Sequence, residues 1–141
     1  MNASDNFNYT VDKFADIEVL RYKVPGFENL SLNQKRLIYY LTEAALNGRD
    51  IYWDQNGKYN LEIRQMLENA YTGYAGDRNS AQFKAFEKYL KQVWFGNGLH
   101  HHYSMDKFTP EFSKEYLEQL VPANKRPENF ATLCDVIFNP M

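Results

Sequence analysis

Two stretches of helical periodicity, separated by one short break, constrain this chain more than any other feature. After Asn60 the residues Ile63, Met66, Leu67, Ala70, Tyr71 and Tyr74 recur at intervals of three and four, which lines them along one face of an α-helix. Gly76-Asp77-Arg78-Asn79 breaks the pattern and Ser80 stands where a cap belongs. Phe83, Phe86, Leu90 and Val93 then resume the spacing up to Gly96. A face of that kind has to be covered by other apolar groups, so the middle of the chain is committed to a helical core.

The flanks extend the same reading. Ser31 followed by Gln34 is a capping box and opens a helix over about 31–46, stopped by Asn47-Gly48. Leu37, Leu41, Ala44 and Ala45 are its expected buried stripe. Residues 49–60 mix aromatics with Asp, Asn and Gly and read as a loop, with Asn60 as cap of the next helix. Ser113 caps a fourth helix carrying Tyr116, Leu117, Leu120 and Val121. Pro122 and Pro127 bracket a loop, and residues 128–138 give a fifth helix with Phe130, Leu133, Ile137 and Phe138 on one side.

Ahead of these helices, residues 4–13 are polar and aromatic without period and read as an arm. Alternation from Asp16 to Val24 suggests a short strand closed by Pro25-Gly26. A lone strand leaves its backbone unpaired, so it needs a partner later in a longer protein or lies over the helices. The expected fold is mainly α: about five amphipathic helices with an extended N-terminal arm or short strand at 1–30 and the helical part at 31–141. The stop at Asn139-Pro140-Met141, straight after an amphipathic helix, suggests part of something longer.

Composition narrows the function classes. One domain's worth of chain, 141 residues with 44% hydrophobic and 24% charged, suits a globular protein with a single core. Eleven tyrosines and ten phenylalanines imply many half-buried rings with polar tips. A net charge of −2 offers no attraction for nucleic acid. No apolar run is long enough to span a bilayer. Cys134, the single cysteine, has no internal disulfide partner. No signal-peptide pattern opens the chain, and a leader removed upstream of Met1-Asn2-Ala3 would leave no trace.

All three histidines fall in one stretch, residues 94–108, Trp-Phe-Gly-Asn-Gly-Leu-His-His-His-Tyr-Ser-Met-Asp-Lys-Phe. A loop held between helices is a common place for functional groups. Adjacent histidines in an extended loop alternate in direction, so at most His100 and His102 converge on one ion. A catalytic zinc usually takes three protein ligands, commonly from a His-Glu-x-x-His helix, and that motif does not occur here. Ser104 has no nucleophile elbow around it, and Cys134 reads as a small buried hydrophobe. Gly96-Asn97-Gly98 resembles half a phosphate loop, but no lysine follows at the required spacing. Two readings of the stretch stay open. One is a recognition surface of glycine-exposed backbone and planar His and Tyr rings. The other is a tight interhelical connection whose histidines are satisfied by local carbonyls.

Residues of about 30–121 resemble the N-terminal region of dipeptidyl peptidase III, the M49 family of zinc metallopeptidases. The resemblance rests on Leu32…Lys35-Arg36-Leu37…Tyr40-Leu41…Ala44-Ala45, then Phe83…Ala85-Phe86…Tyr89…Val93. Its most specific run is Val93 through Phe108, ending in Asp106-Lys107-Phe108-Thr109-Pro110 and followed by Leu117…Leu120-Val121. The Asn-Gly-Leu-His-His-His-Tyr form is similar to that of Bacteroides-type bacterial members. The resemblance implies a larger two-lobed protein that releases dipeptides from peptide N-termini with a zinc ion held in the other lobe. The zinc motifs, His-Glu-x-x-Gly-His and Glu-Glu-x-x-x-Glu/Asp, are absent from this chain, which by itself is then inactive. A Ser-Phe pair that contacts peptide in animal members aligns with His102 and Tyr103. On this reading Asn97, Gly98, His100, His102 and Tyr103 shape a peptide-substrate cleft, and the remainder of the parent polypeptide is a further partner. The family's lower lobe contains a β-barrel, which would pair the Asp16–Val24 strand. Family members are commonly cytosolic, and a bacterial form with an export signal would be periplasmic. The rival readings are a free-standing helical protein-interaction module and a small metal-binding protein.

Overall fold

A computed structural model describes residues 7–139; residues 4–6 of the expected arm and Pro140-Met141 lie outside the described residues. The chain divides into two compact units, residues 1–47 and 48–141.

In the first unit the expected strand does pair, with the segment that precedes it. β1 (Thr10–Phe14) and β2 (Ile17–Leu20) form an antiparallel hairpin in which Phe14 faces Ile17 and Thr10 faces Leu20. Ala15 turns the corner with a positive φ of 49°, and a register shift between Thr10 and Asp12 absorbs Val11 as a bulge. Lys13 sits opposite Glu18, an opposite-charge pair of the kind that supports a two-stranded ladder. The last part of the segment read as an arm, Thr10–Lys13, is thus the missing partner, and β2 stops before Tyr22 and Val24, which are exposed. Gly26 follows with φ of 88°, a conformation that favours glycine, and opens a short 3-10 turn over Phe27–Asn29.

α1 (Leu32–Asn47) starts where the capping box places it. The Ser31 N–H donates to Gln34 Oε1 at 2.8 Å, and the Gln34 N–H donates to Ser31 Oγ at 3.4 Å. The buried stripe does not follow. No residue of α1 is buried; Leu37 and Leu41 are 59% and 61% exposed, and Ala44 and Ala45 are also exposed. Capping is local and needs only the helix itself, whereas burial needs a second surface.

The second unit holds α2 (Arg49–Asn56), α3 (Asn60–Gly73), α4 (Ala81–Gly96), α5 (Lys114–Leu120) and α6 (Phe130–Phe138). α2 is the correction here: residues 49–60 read as a loop because they carry no apolar stripe, and indeed only Trp53 of α2 is buried. With this short helix added, the described residues contain six α-helices, and the fold is mainly α as expected. α3 packs against both α2 and α4. The residues named from periodicity form the core: Ile63, Met66, Leu67 and Ala70 from α3, then Phe83, Phe86, Leu90 and Val93 from α4. Tyr71 and Tyr74 only border it, and Tyr74 lies just beyond the end of α3. Their rings stack on Phe83 at centroid distances of 5.9 and 4.7 Å.

Ser80 caps α4, its Oγ accepting from the Phe83 N–H at 3.3 Å, and Ser113 caps α5 by accepting from the Tyr116 N–H at 3.1 Å. Each cap is worth about 1 kcal/mol. α5 adds Leu117 and Leu120 to the core, and α6 adds Phe130, Leu133, Cys134 and Ile137. Cys134 is fully buried and unpaired, and burial raises its thiol pKa, which keeps it protonated and unreactive. Among the described residues no helix is long and apolar enough to cross a membrane.

Candidate functional site

The loop between α4 and α5 begins with a left-handed residue. Asn97 caps α4 with φ 51° and ψ 37°, a conformation that asparagine tolerates better than most residues. The Asn97 and Gly98 N–H groups return to the Trp94 and Val93 carbonyls at 3.4 and 3.2 Å, satisfying acceptors that a helix end leaves free. Gly98 then passes against α3. A β-carbon there would meet Asn60 Nδ2 at 2.4 Å. Asn60 is not the cap of α3, since Tyr59 holds that place; it is buried at 5% exposure with its amide against Gly57 and Gly98.

From Leu99 the loop folds back on itself. The Phe108 N–H donates to the Leu99 carbonyl and the His101 N–H to the Asp106 carbonyl, both at 2.8 Å. His100 and Lys107 form the antiparallel bridge between them. Leu99 and Phe108, 3% and 7% exposed, sink both ends of this small hairpin into the core. The tip is held by its own polar groups. Ser104 Oγ donates to Asp106 Oδ2 at 2.8 Å and accepts from the Asp106 N–H at 3.1 Å. His101 Nδ1 accepts from the Tyr103 N–H at 3.2 Å.

The histidines separate into two settings. His101 and His102 do not point apart as simple alternation predicts; their ring centroids are 4.4 Å apart. His102 in turn lies 4.1 Å from the Tyr103 ring and 4.8 Å, edge to face, from Phe95. Tyr103 is 88% exposed. The result is an aromatic tip of three adjoining rings on a loop anchored at both ends. His100 is half-buried and lines a cleft with Leu99, Lys107, Thr132 and Asp135. Its Nε2 is buried without a hydrogen-bond partner. Lys107 Nζ donates to the Asn139 carbonyl, and burial holds this ammonium below the ordinary lysine range.

The five residues singled out from sequence are therefore not gathered at one point. Asn97 belongs to a cleft bordered by Trp53 and Trp94. Gly98 is a packing contact with Asn60, His100 lines its own cleft, and only His102 and Tyr103 stand together at the tip. Among the described residues no three His, Cys, Asp or Glu side chains form a group able to hold a metal ion. Sequence reasoning passed over Arg49, Trp53 and Arg64, because they belong to the stretch read as loop and to the polar positions between the apolar residues of α3.

No protein-family model matches the chain, and no curated protein matches it.

Proposed function

We propose that this chain is the N-terminal, zinc-free part of an M49-type dipeptidyl peptidase and that its α4–α5 loop forms part of the wall along which peptide substrate lies. The observation that carries the reading is the tip itself. His102 and Tyr103 lie ring against ring at 4.1 Å on a hairpin whose ends, Leu99 and Phe108, are buried. A rigidly mounted aromatic surface binds an extended peptide without much loss of side-chain freedom, and the imidazole and phenol supply hydrogen-bonding tips. The ordered resemblance from Leu32 to Val121 supports the same reading.

In this proposal the chemistry belongs elsewhere. The parent enzyme's zinc activates water for peptide cleavage, and its ligands come from a His-Glu-x-x-Gly-His helix outside this chain. The residues described here bind and orient. The experiment is to read the coding sequence that continues from residue 141. A His-Glu-x-x-Gly-His segment is expected there, and its absence overturns the proposal. Zinc-dependent hydrolysis of a dipeptidyl arylamide by the 141-residue chain alone would do the same.

A second reading, a free-standing helical protein-interaction module, draws on α1, where Leu37, Ile38 and Leu41 are all exposed. Apolar surface of that extent often marks a contact site. A natural stop codon after Met141 favours this reading over the first.

A further inference from the structure

Both tryptophans of the chain border a single cleft of about 230 Å³ within the second unit, together with Arg49, Arg64, Glu68 and Asn97. Arg64 is only 6% exposed, which is unusual for a charged side chain. Its Nη1 donates to Asp50 Oδ1 at 2.7 Å. Its Nε forms an ion pair with Glu68 Oε1 at 3.6 Å, beyond hydrogen-bond reach, and has no hydrogen-bond partner. The guanidinium covers the ring of Trp53 at 5.2 Å. Trp53 is 2% exposed, and its indole N–H is also without an acceptor. Glu68 is already engaged, accepting from Trp94 Nε1 at 2.8 Å. Arg49 is exposed and pairs with none of the described carboxylates.

The unsatisfied groups around this cleft are donors. Buried N–H groups normally have an acceptor, and two without one, beside a free guanidinium, mark a place where an acceptor belongs. Two arginines in the lining disfavour a cation. Arg64 is ion-paired with both Asp50 and Glu68, which leaves Arg49 as the cation without a carboxylate, so the site has at most one positive charge to offer. That suits a monoanion better than a multiply charged phosphate, and a carboxylate matches the planar fork of an arginine. We propose that this cleft is a carboxylate-binding site in which Arg49 and the Arg64 guanidinium take the oxygens, with the orphaned Arg64 Nε and Trp53 Nε1 donors lying beneath its surface. The carboxylate belongs either to a small free acid or to a peptide C-terminus. Asn97, at the start of the α4–α5 loop, also borders this cleft, but the proposal does not rest on the peptide-cleft reading above.

Because both tryptophans border the cleft, intrinsic tryptophan emission reports on it directly. The protein is titrated at constant ionic strength with phenylacetate, with N-acetyl-Gly-Phe as free acid, and with the amides of both. Saturable emission change with either acid, absent with its amide, is expected; phenylacetate alone assigns a free acid, and the peptide acid assigns a C-terminus. Arg49→Gln, at an exposed position and checked for an unchanged thermal melt, is expected to weaken the half-saturation at least tenfold. Equal responses to acid and amide, no saturable response to either acid, tighter saturation with inorganic phosphate, or undiminished binding by Arg49→Gln would each overturn the proposal.

Discussion

The amide of Asn60 occupies the space a side chain at Gly98 would need: a β-carbon there would come within 2.4 Å of Asn60 Nδ2. This contact joins the first residue of α3 to the second residue after α4 and sets where the histidine loop leaves the core.

Gly98→Ala is therefore expected to destabilise the second unit by about 1–3 kcal/mol, the usual cost of overpacking. Urea unfolding measures it. Asn60→Ala in the same background removes the obstacle, so the double variant is expected to recover part of the loss. Strict additivity of the two changes would show that the contact is not the cause.

Tyr89 offers a pH test. It is 1% exposed, its hydroxyl has no partner, and burial raises its pKa well above the ordinary tyrosine range. The unfolded tyrosine ionises near pH 10 while the folded one stays neutral, so the unfolded state then binds fewer protons. Stability should be intact below pH 10 and fall above it by about 1.4 kcal/mol per pH unit from this group. Tyr89→Phe keeps the ring, removes the unpaired hydroxyl and should flatten that decline. At neutral pH it should leave stability unchanged or higher by about 1 kcal/mol.

Phe112 was not among the core residues expected from periodicity, since it lies in the connection before α5. It is 4% exposed and meets Phe86, Tyr89 and Phe138 edge to face at 5.6–5.7 Å. Phe112→Ala should cost about 3–5 kcal/mol, visible as a lower midpoint in denaturant. A loss below 1 kcal/mol would show that these rings close up without it.

Leu41 and Leu67 look alike in sequence, each on an apolar helical stripe. Leu67 is fully buried and Leu41 is 61% exposed. Leu67→Ala should cost about 2–5 kcal/mol, and Leu41→Ala should stay within about 0.5 kcal/mol. Circular dichroism during urea unfolding compares the two. Equal losses would place a covering surface on α1.

At the loop tip, Tyr103→Ala and His102→Ala remove exposed rings and should shift stability by less than about 0.5 kcal/mol. If the tip forms the proposed peptide wall, the same changes in the proposed parent enzyme should raise KM about tenfold with little effect on kcat, as expected for lost ground-state binding. A selective fall in kcat would point to a different role.

The helices with strong periodicity were legible because periodicity and capping depend on neighbours along the chain. Ser31, Ser80 and Ser113 cap where the sequence places them, and the apolar positions of α4 are buried as their spacing requires. The extent of the histidine loop was legible for the same reason: a helix ends at Gly96 and another is capped at Ser113. Its interior was not. Which histidine meets which ring depends on the hairpin closed by Leu99, His101, Asp106 and Phe108.

Sequence alone thus determined the mainly helical class, the α3–α4 core and the position of the loop, since these follow from local spacing and short-range hydrogen bonds. Tertiary structure decided the rest. It paired β1 with β2, left the stripe of α1 uncovered and made a helix of Arg49–Asn56 around one buried tryptophan. It also brought Arg64 onto Trp53 and Asn60 under Gly98. Each of these needs a second surface supplied from elsewhere in the chain, and no local pattern specifies which surface arrives.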